Sequence, residues 1–122
     1  MIIIDGERYN VDVISIKRKA DFLDKYAERT EDGDLKRELI GVYFNYELKF
    51  GPGADTNEYG RLWDKLTEPI EYHQVTVPDC DGDYTFTAYF ASVADELLLK
   101  KAARNFWKNL TAHFKAKAPA RT

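Results

Sequence analysis

Apolar and polar residues alternate along most of this 122-residue chain, and a period of two is the signature of strands that bury one face. Ile2–Ile4 reads as a short apolar strand closed by Asp5-Gly6, a pair that tolerates the positive φ angles of a tight turn. Tyr9 to Ile16 alternates next, with Tyr9, Val11, Val13 and Ser15 on one face, and predicts a hairpin with Ile2–Ile4. The clearest strand lies within Lys36–Phe50. There Val42, Phe44, Tyr46, Leu48 and Phe50 share one side, and Tyr43, Asn45, Glu47 and Lys49 the other. Upstream, Phe22–Arg29 is placed to pair with it across Asp32-Gly33, although Ala20, Leu23, Tyr26 and Ala27 also give Lys17–Glu28 a helical spacing.

Gly51-Pro52-Gly53 ends the long strand, because proline cannot donate to the ladder and glycine weakens pairing. One helix is predicted over Thr56–Leu66. Asp55 or Thr56 serves as N-cap, Glu58 stands in the first turn, and Tyr59, Leu62, Trp63 and Leu66 form the apolar stripe. Glu68-Pro69 stops it. If that stripe is buried, Trp63→Ala is expected among the most damaging truncations, at about 3–5 kcal/mol. Strand then returns over Ile70–Val77 and Tyr84–Val93, around the acidic turn Pro78–Asp83. Ala94–Arg104 suits strand and helical turn equally. Lys108–Ala116 closes the series with Leu110, Ala112, Phe114 and Ala116 inward, and the residues after it read as a frayed end.

No linker, repeat or low-complexity stretch divides the chain, so residues 1–122 form one domain. The predicted class is mostly β (α+β), an antiparallel β-sandwich or split barrel with the single amphipathic helix at Thr56–Leu66. Hydrophobic residues at 44% and charged residues at 32% exclude a disordered chain, and no apolar run approaches the roughly 20 residues of a spanning helix. With 18 basic against 21 acidic side chains the net charge is −3, and no nucleic-acid partner and no membrane partner is expected. The start carries no signal-peptide pattern, so Asn109-Leu110-Thr111 is read as a chance match to a glycosylation acceptor.

Candidate chemistry is thin. Counted from Asp79, the acidic turn puts Gly82 fourth rather than sixth and Phe90 twelfth, which fails the helix–loop–helix calcium pattern; residues 31–34 read as a second turn of the same kind. His73, with Glu71 on the same strand face, is the one conceivable acid–base or metal pair, and His113 is the other histidine. Cys80 stands between Asp79 and Asp81, where a thiolate is disfavoured. Ser15 and Ser92 have no histidine or carboxylate at an informative spacing, and phosphate-loop and nucleophile-elbow motifs are missing. Lys17-Arg18-Lys19 and the cluster Lys100, Lys101, Arg104 and Lys108, interleaved with Phe106 and Trp107, read as solvated faces. No catalytic, cofactor-binding or metal-binding residue is assigned, and no cofactor. What stands out is the 14% of aromatic residues, several of which, Tyr43, Tyr89 and Trp107 among them, fall on the face opposite their strand's core side.

Residues 29–35 (Arg-Thr-Glu-Asp-Gly-Asp-Leu), residues 37–46 (Arg-Glu-Leu-Ile-Gly-Val-Tyr-Phe-Asn-Tyr), the helix segment Leu62-Trp63-Asp64-Lys65-Leu66-Thr67 and the ending Asn105-Phe106-Trp107-Lys108-Asn109-Leu110 resemble small proteins of prophage tail operons. The order of long hairpin, helix, hairpin and terminal strand is similar to the split barrel of tail-tube and distal tail proteins. That resemblance implies a non-enzymatic structural component of a phage or prophage tail. It would be made in the host cytoplasm and located in the virion, and it would self-associate, in a ring, or join other tail proteins through strand edges and the hairpin Phe22–Phe50. The alternative is a small ligand- or peptide-binding module with a concavity beside Trp63 or Trp107. An enzyme using His73 and Glu71 is a third reading.

Overall fold

In the computed structural model, which describes residues 2–31, 33–51, 56–101 and 104–121, seven strands and one helix follow one another. The strands are β1 (Ile2–Ile4), β2 (Glu7–Tyr9), β3 (Val13–Arg29), β4 (Leu35–Phe50), β5 (His73–Asp79), β6 (Gly82–Lys101) and β7 (Arg104–Ala116), with α1 (Thr56–Leu66) between β4 and β5. All strand pairs are antiparallel, and they build one sheet in the order β2-β1-β5-β6-β7-β4-β3. The fold is mostly β with one helix, as the periodicity predicts.

The two edges of this sheet, β2 and β3, are consecutive in the chain. Only Asn10–Asp12 joins them, and four residue steps from Tyr9 to Val13 span at most about 14 Å. A flat seven-stranded sheet would hold its edges roughly 28 Å apart at about 4.7 Å per strand. The sheet therefore curls until its edges meet at this corner, where the Gly51 N–H donates to the Asp12 carbonyl at 2.8 Å. The alternation read from Tyr9 to Ile16 is thus two strands and a corner, because the chain changes edge at Asn10.

Inside the curl, Ile4, Leu48, Phe50, Val75, Leu110 and Phe114 are fully buried, and α1 adds Tyr59, Leu62 and Leu66. The helix is fastened at both sides. Arg61 donates to the Arg8 carbonyl (2.7 Å) and lies over the Tyr9 ring (4.5 Å to the centroid), while the Tyr59 hydroxyl donates to Asp95 on β6 (3.0 Å). Trp63 is only half-buried and packs against the rim of the core. Leu62, not Trp63, is therefore the deepest residue of the stripe. The proposed N-cap Asp55 and the breaker Pro52-Gly53 lie outside the described residues, as does Asp32 of the first hairpin turn.

Two ambiguous stretches are strand throughout. Residues 17–28 pair with β4 along the whole of β3, and residues 94–101 continue β6 against β7, which begins at Arg104 rather than Lys108. The chain after β7 is not frayed. The Val42 N–H donates to the Arg121 carbonyl (2.8 Å) and the Ala120 N–H to the Val42 carbonyl (2.8 Å).

Leu62→Ala should cost about 2–5 kcal/mol, as for a fully buried leucine, whereas Ile70→Ala, at a position 55% exposed, should stay within about 0.5 kcal/mol of the parent. Urea unfolding of both variants checks the depth assigned to α1.

Candidate assembly surface

Buried and exposed residues divide along each long strand. In β4, Tyr46, Leu48 and Phe50 are buried while residues 35–40 are all exposed. In β7 the buried set is Leu110, Ala112 and Phe114, and Asn105 and Trp107 are exposed. The core thus holds one half of each hairpin and leaves the other half as an arm.

The register between β4 and β7 fixes where the arms point. Tyr46–Lys49 pairs with Phe114–Thr111 in antiparallel sense. By that register residues 35–43 of β4, about 30 Å of strand, run past the C-terminal end of β7, and Arg104–Asn109 runs past the other end of β4. The β3–β4 arm and the β6–β7 arm therefore leave the core at opposite ends of the sheet. Each departs at an irregularity. Register shifts fall at Leu23/Asp24 and Asp24/Tyr26 in one hairpin and at Ala94/Glu96 in the other, where Asn109 adopts φ 55°.

Most large apolar side chains left exposed stand on these arms. Phe22 (59%), Leu23, Leu35, Leu39 and Ile40 belong to the first. Leu97, Leu98 and Trp107 belong to the second, where Leu97 and Trp107 face each other across the ladder. Polar groups hold the first arm in shape: Arg37 donates to Asp24 (2.5 Å) and covers the Phe22 ring, and Asn45 donates to Asp21 (2.6 Å) while accepting from the Ala116 N–H (2.9 Å). Of the three aromatics singled out by pattern, Tyr89 and Trp107 are exposed, but Tyr43 is half-buried.

The chain matches no known protein family, no curated protein and no solved structure. No helix among the described residues is long and apolar enough to cross a membrane.

The residues with chemical potential are placed as follows. His73 is buried and pairs through Nδ1 with Asp5 (2.7 Å), not with Glu71, which is exposed. The Asp5-Gly6 turn between β1 and β2 brings that carboxylate over β5, a contact between residues 68 apart in sequence that no local pattern announces. Lys65 of α1 reaches the same oxygen at 3.1 Å and Glu68 at 3.2 Å, and the His73 ring stacks on Phe90. This cluster clamps turn, helix and sheet together. His113 stands in register between Ser92 and Glu47, a row assembled by three strands and invisible to sequence spacing, yet no side-chain hydrogen bond joins its members among the described residues.

Arg18 reaches Asp79 (2.5 Å) and the exposed Cys80 thiol, so β3 is tied to the β5–β6 turn and that acidic tip serves as an anchor. No group of three or more potential metal ligands occurs among the described residues. Of the second basic cluster, Lys108 faces Glu96 across the ladder, whereas nothing is described of the Lys101 and Arg104 side chains. A cleft of about 200 Å³ is lined by Ile3, Arg8, Thr76, Pro78 and Asp83, away from both Trp63 and Trp107.

Burial pushes the Asp5 carboxyl up, but the His73 ring, the Gln74 backbone N–H and Lys65 outweigh it and hold the group at about 2, below its ordinary 3.8. A carboxyl depressed on folding contributes stability above its unfolded pKa and loses it as the pH falls through the folded one. Stability should decline as the pH drops from about 4 to about 2, and Asp5→Asn should flatten the decline over that window. Urea midpoints at stepped pH give the comparison; parallel curves for the two proteins would contradict the clamp.

Proposed function

We propose that this chain is a non-enzymatic structural component that assembles with copies of itself or with neighbouring proteins through its two hairpin arms, in a phage or prophage tail. The observation that carries the reading is the concentration of exposed apolar side chains on arms at opposite ends of one curled sheet. A lone molecule leaves much of Phe22, Leu35, Leu97 and Trp107 in water, and exposed apolar surface gathered in this way marks protein contacts. Two different arms at two ends suit heterologous, head-to-tail contact, which closes into a ring when the rotation between copies permits. The resemblance of residues 29–46 and of the helix to tail-operon proteins supports the tail as the setting, and with it the virion as location. The single curled sheet with one helix is compatible with the split barrel of that resemblance.

The cleft beside Arg8 favours the ligand-module reading only weakly, because its lining residues are half-exposed or fully exposed and it is open to solvent.

Light scattering after size exclusion, over a wide concentration range and with neighbouring tail-operon proteins added in turn, should show a ring-sized or partner-dependent species. Phe22→Asp and Trp107→Asp should each abolish it while leaving the chain folded, as urea unfolding of the two variants would check. A strictly monomeric protein under all these conditions defeats the reading.

A further inference from the structure

Gly41 sits mid-strand in β4, where glycine weakens a ladder unless another backbone must come close. One does. A Cβ placed at Gly41 would lie 2.6 Å from the Pro119 Cβ and 2.9 Å from the Arg121 carbonyl oxygen. Gly41 is buried although residues 35–40, just before it, are all exposed, so what covers it is the segment 117–121.

That segment is held at two places. Near β7 the Lys117 N–H donates to the Thr87 carbonyl (2.9 Å), and its ammonium lies over the Tyr72 ring, 4.6 Å from the centroid. At its other end it exchanges backbone hydrogen bonds with Val42. Because the Val42 N–H and carbonyl face residues 120 and 121, they point away from β3. They belong to the side of β4 that β7 has left behind. Residues 35–43 of that side, which include the exposed Leu35, Leu39 and Ile40, form a strand edge beyond the end of β7.

We propose that residues 117–121 form a displaceable guard that occupies the Val42 backbone groups and blocks strand addition by a second copy of this chain along residues 35–43 of β4. The occupant that replaces the guard is a second copy, because the other edge of the same hairpin, β3, ends the sheet and offers a 17-residue strand, more than long enough to pair with that edge. Covering an edge with a loop is one of the ways natural sheets suppress uncontrolled pairing. Here the cover is small, and the glycine beneath it keeps the seat open to an extended backbone. The inference rests on the proposed self-assembly and names what regulates it.

Three variants test it. Termination after Ala116 removes the guard. Gly41→Ala leaves it in the chain but fills its seat. Val42→Pro, added to the shortened chain, removes the donor that faces the edge without touching the β3 ladder. Light scattering should give an association midpoint at least about tenfold lower for the shortened chain and for Gly41→Ala than for the parent, with the proline reversing the gain. Hydrogen exchange at the Val42 amide, protected in the parent monomer, should become fast in the Gly41→Ala monomer, which checks the release directly in a folded protein. If the parent assembles and the two unguarded chains do so at the same concentration, the guard is refuted and the assembly reading stands. If no chain assembles at any concentration, both fail.

Discussion

The three residues Asn10–Asp12 impose the constraint on which the rest of the structure depends. They join the two outermost strands of a seven-stranded sheet, so the sheet has to curl, and the curl creates an inside. Period-two alternation becomes burial only because of that inside. Ile4, Leu48, Val75 and Leu110 come from four strands scattered over more than a hundred residues, and each is fully buried because the corner folds their faces toward one another. The helix then covers the core with Tyr59, Leu62 and Leu66. Its polar groups bind the β1–β2 hairpin on one side and Asp95 of β6 on the other.

The same geometry decides what is left outside. A core closed by a short corner encloses only part of a 13- to 20-residue strand, so the surplus of β3, β4, β6 and β7 leaves as paired ribbons. Two-stranded ribbons are marginal alone in water. These are stiffened by cross-strand polar contacts such as Arg37–Asp24 and by their continuity with the core ladder. Charges along β3, among them Lys17, Lys19, Asp21 and Asp24, set on an edge strand, oppose indiscriminate pairing while leaving the apolar positions exposed for a partner of matching shape.

What was legible in the sequence follows from this division. Strands with one buried face show their period, so β4 from Val42 onward, the inward residues of β7 and the stripe of α1 can be read directly. Residues 17–28 and 94–101 carry no clear period, because few side chains on either face of these stretches are buried and no period is selected. The pairing of His73 with Asp5, the meeting of Ser92 with His113 and the burial of Gly41 under Pro119 depend on strand order and register, which a period of two leaves undetermined. Sequence spacing offers His73 only Glu71 as a carboxylate neighbour, whereas the sheet brings Asp5 to it. Periodicity places Trp63 on the stripe but does not say which of its four residues points deepest, and Leu62 is the one that does.

The exposed aromatics are where sequence and structure reinforce each other. Pattern alone put Tyr89 and Trp107 on the outer face of their strands, and both are exposed. Tyr43 departs from that pattern because it lies on β4 between the arm and the core, beside the seat that Gly41 and Val42 give to residues 119–121. The chain therefore treats its two arms differently. The β6–β7 arm presents Leu97 opposite Trp107 as a finished apolar surface, complete in the monomer. The β3–β4 arm carries apolar side chains and, beneath residues 119–121, backbone groups whose pairing is already taken. A contact through side chains can form on encounter, whereas one that adds a strand must first displace what occupies the edge. Assembly that uses both arms would therefore begin at the ready surface and be completed at the guarded one.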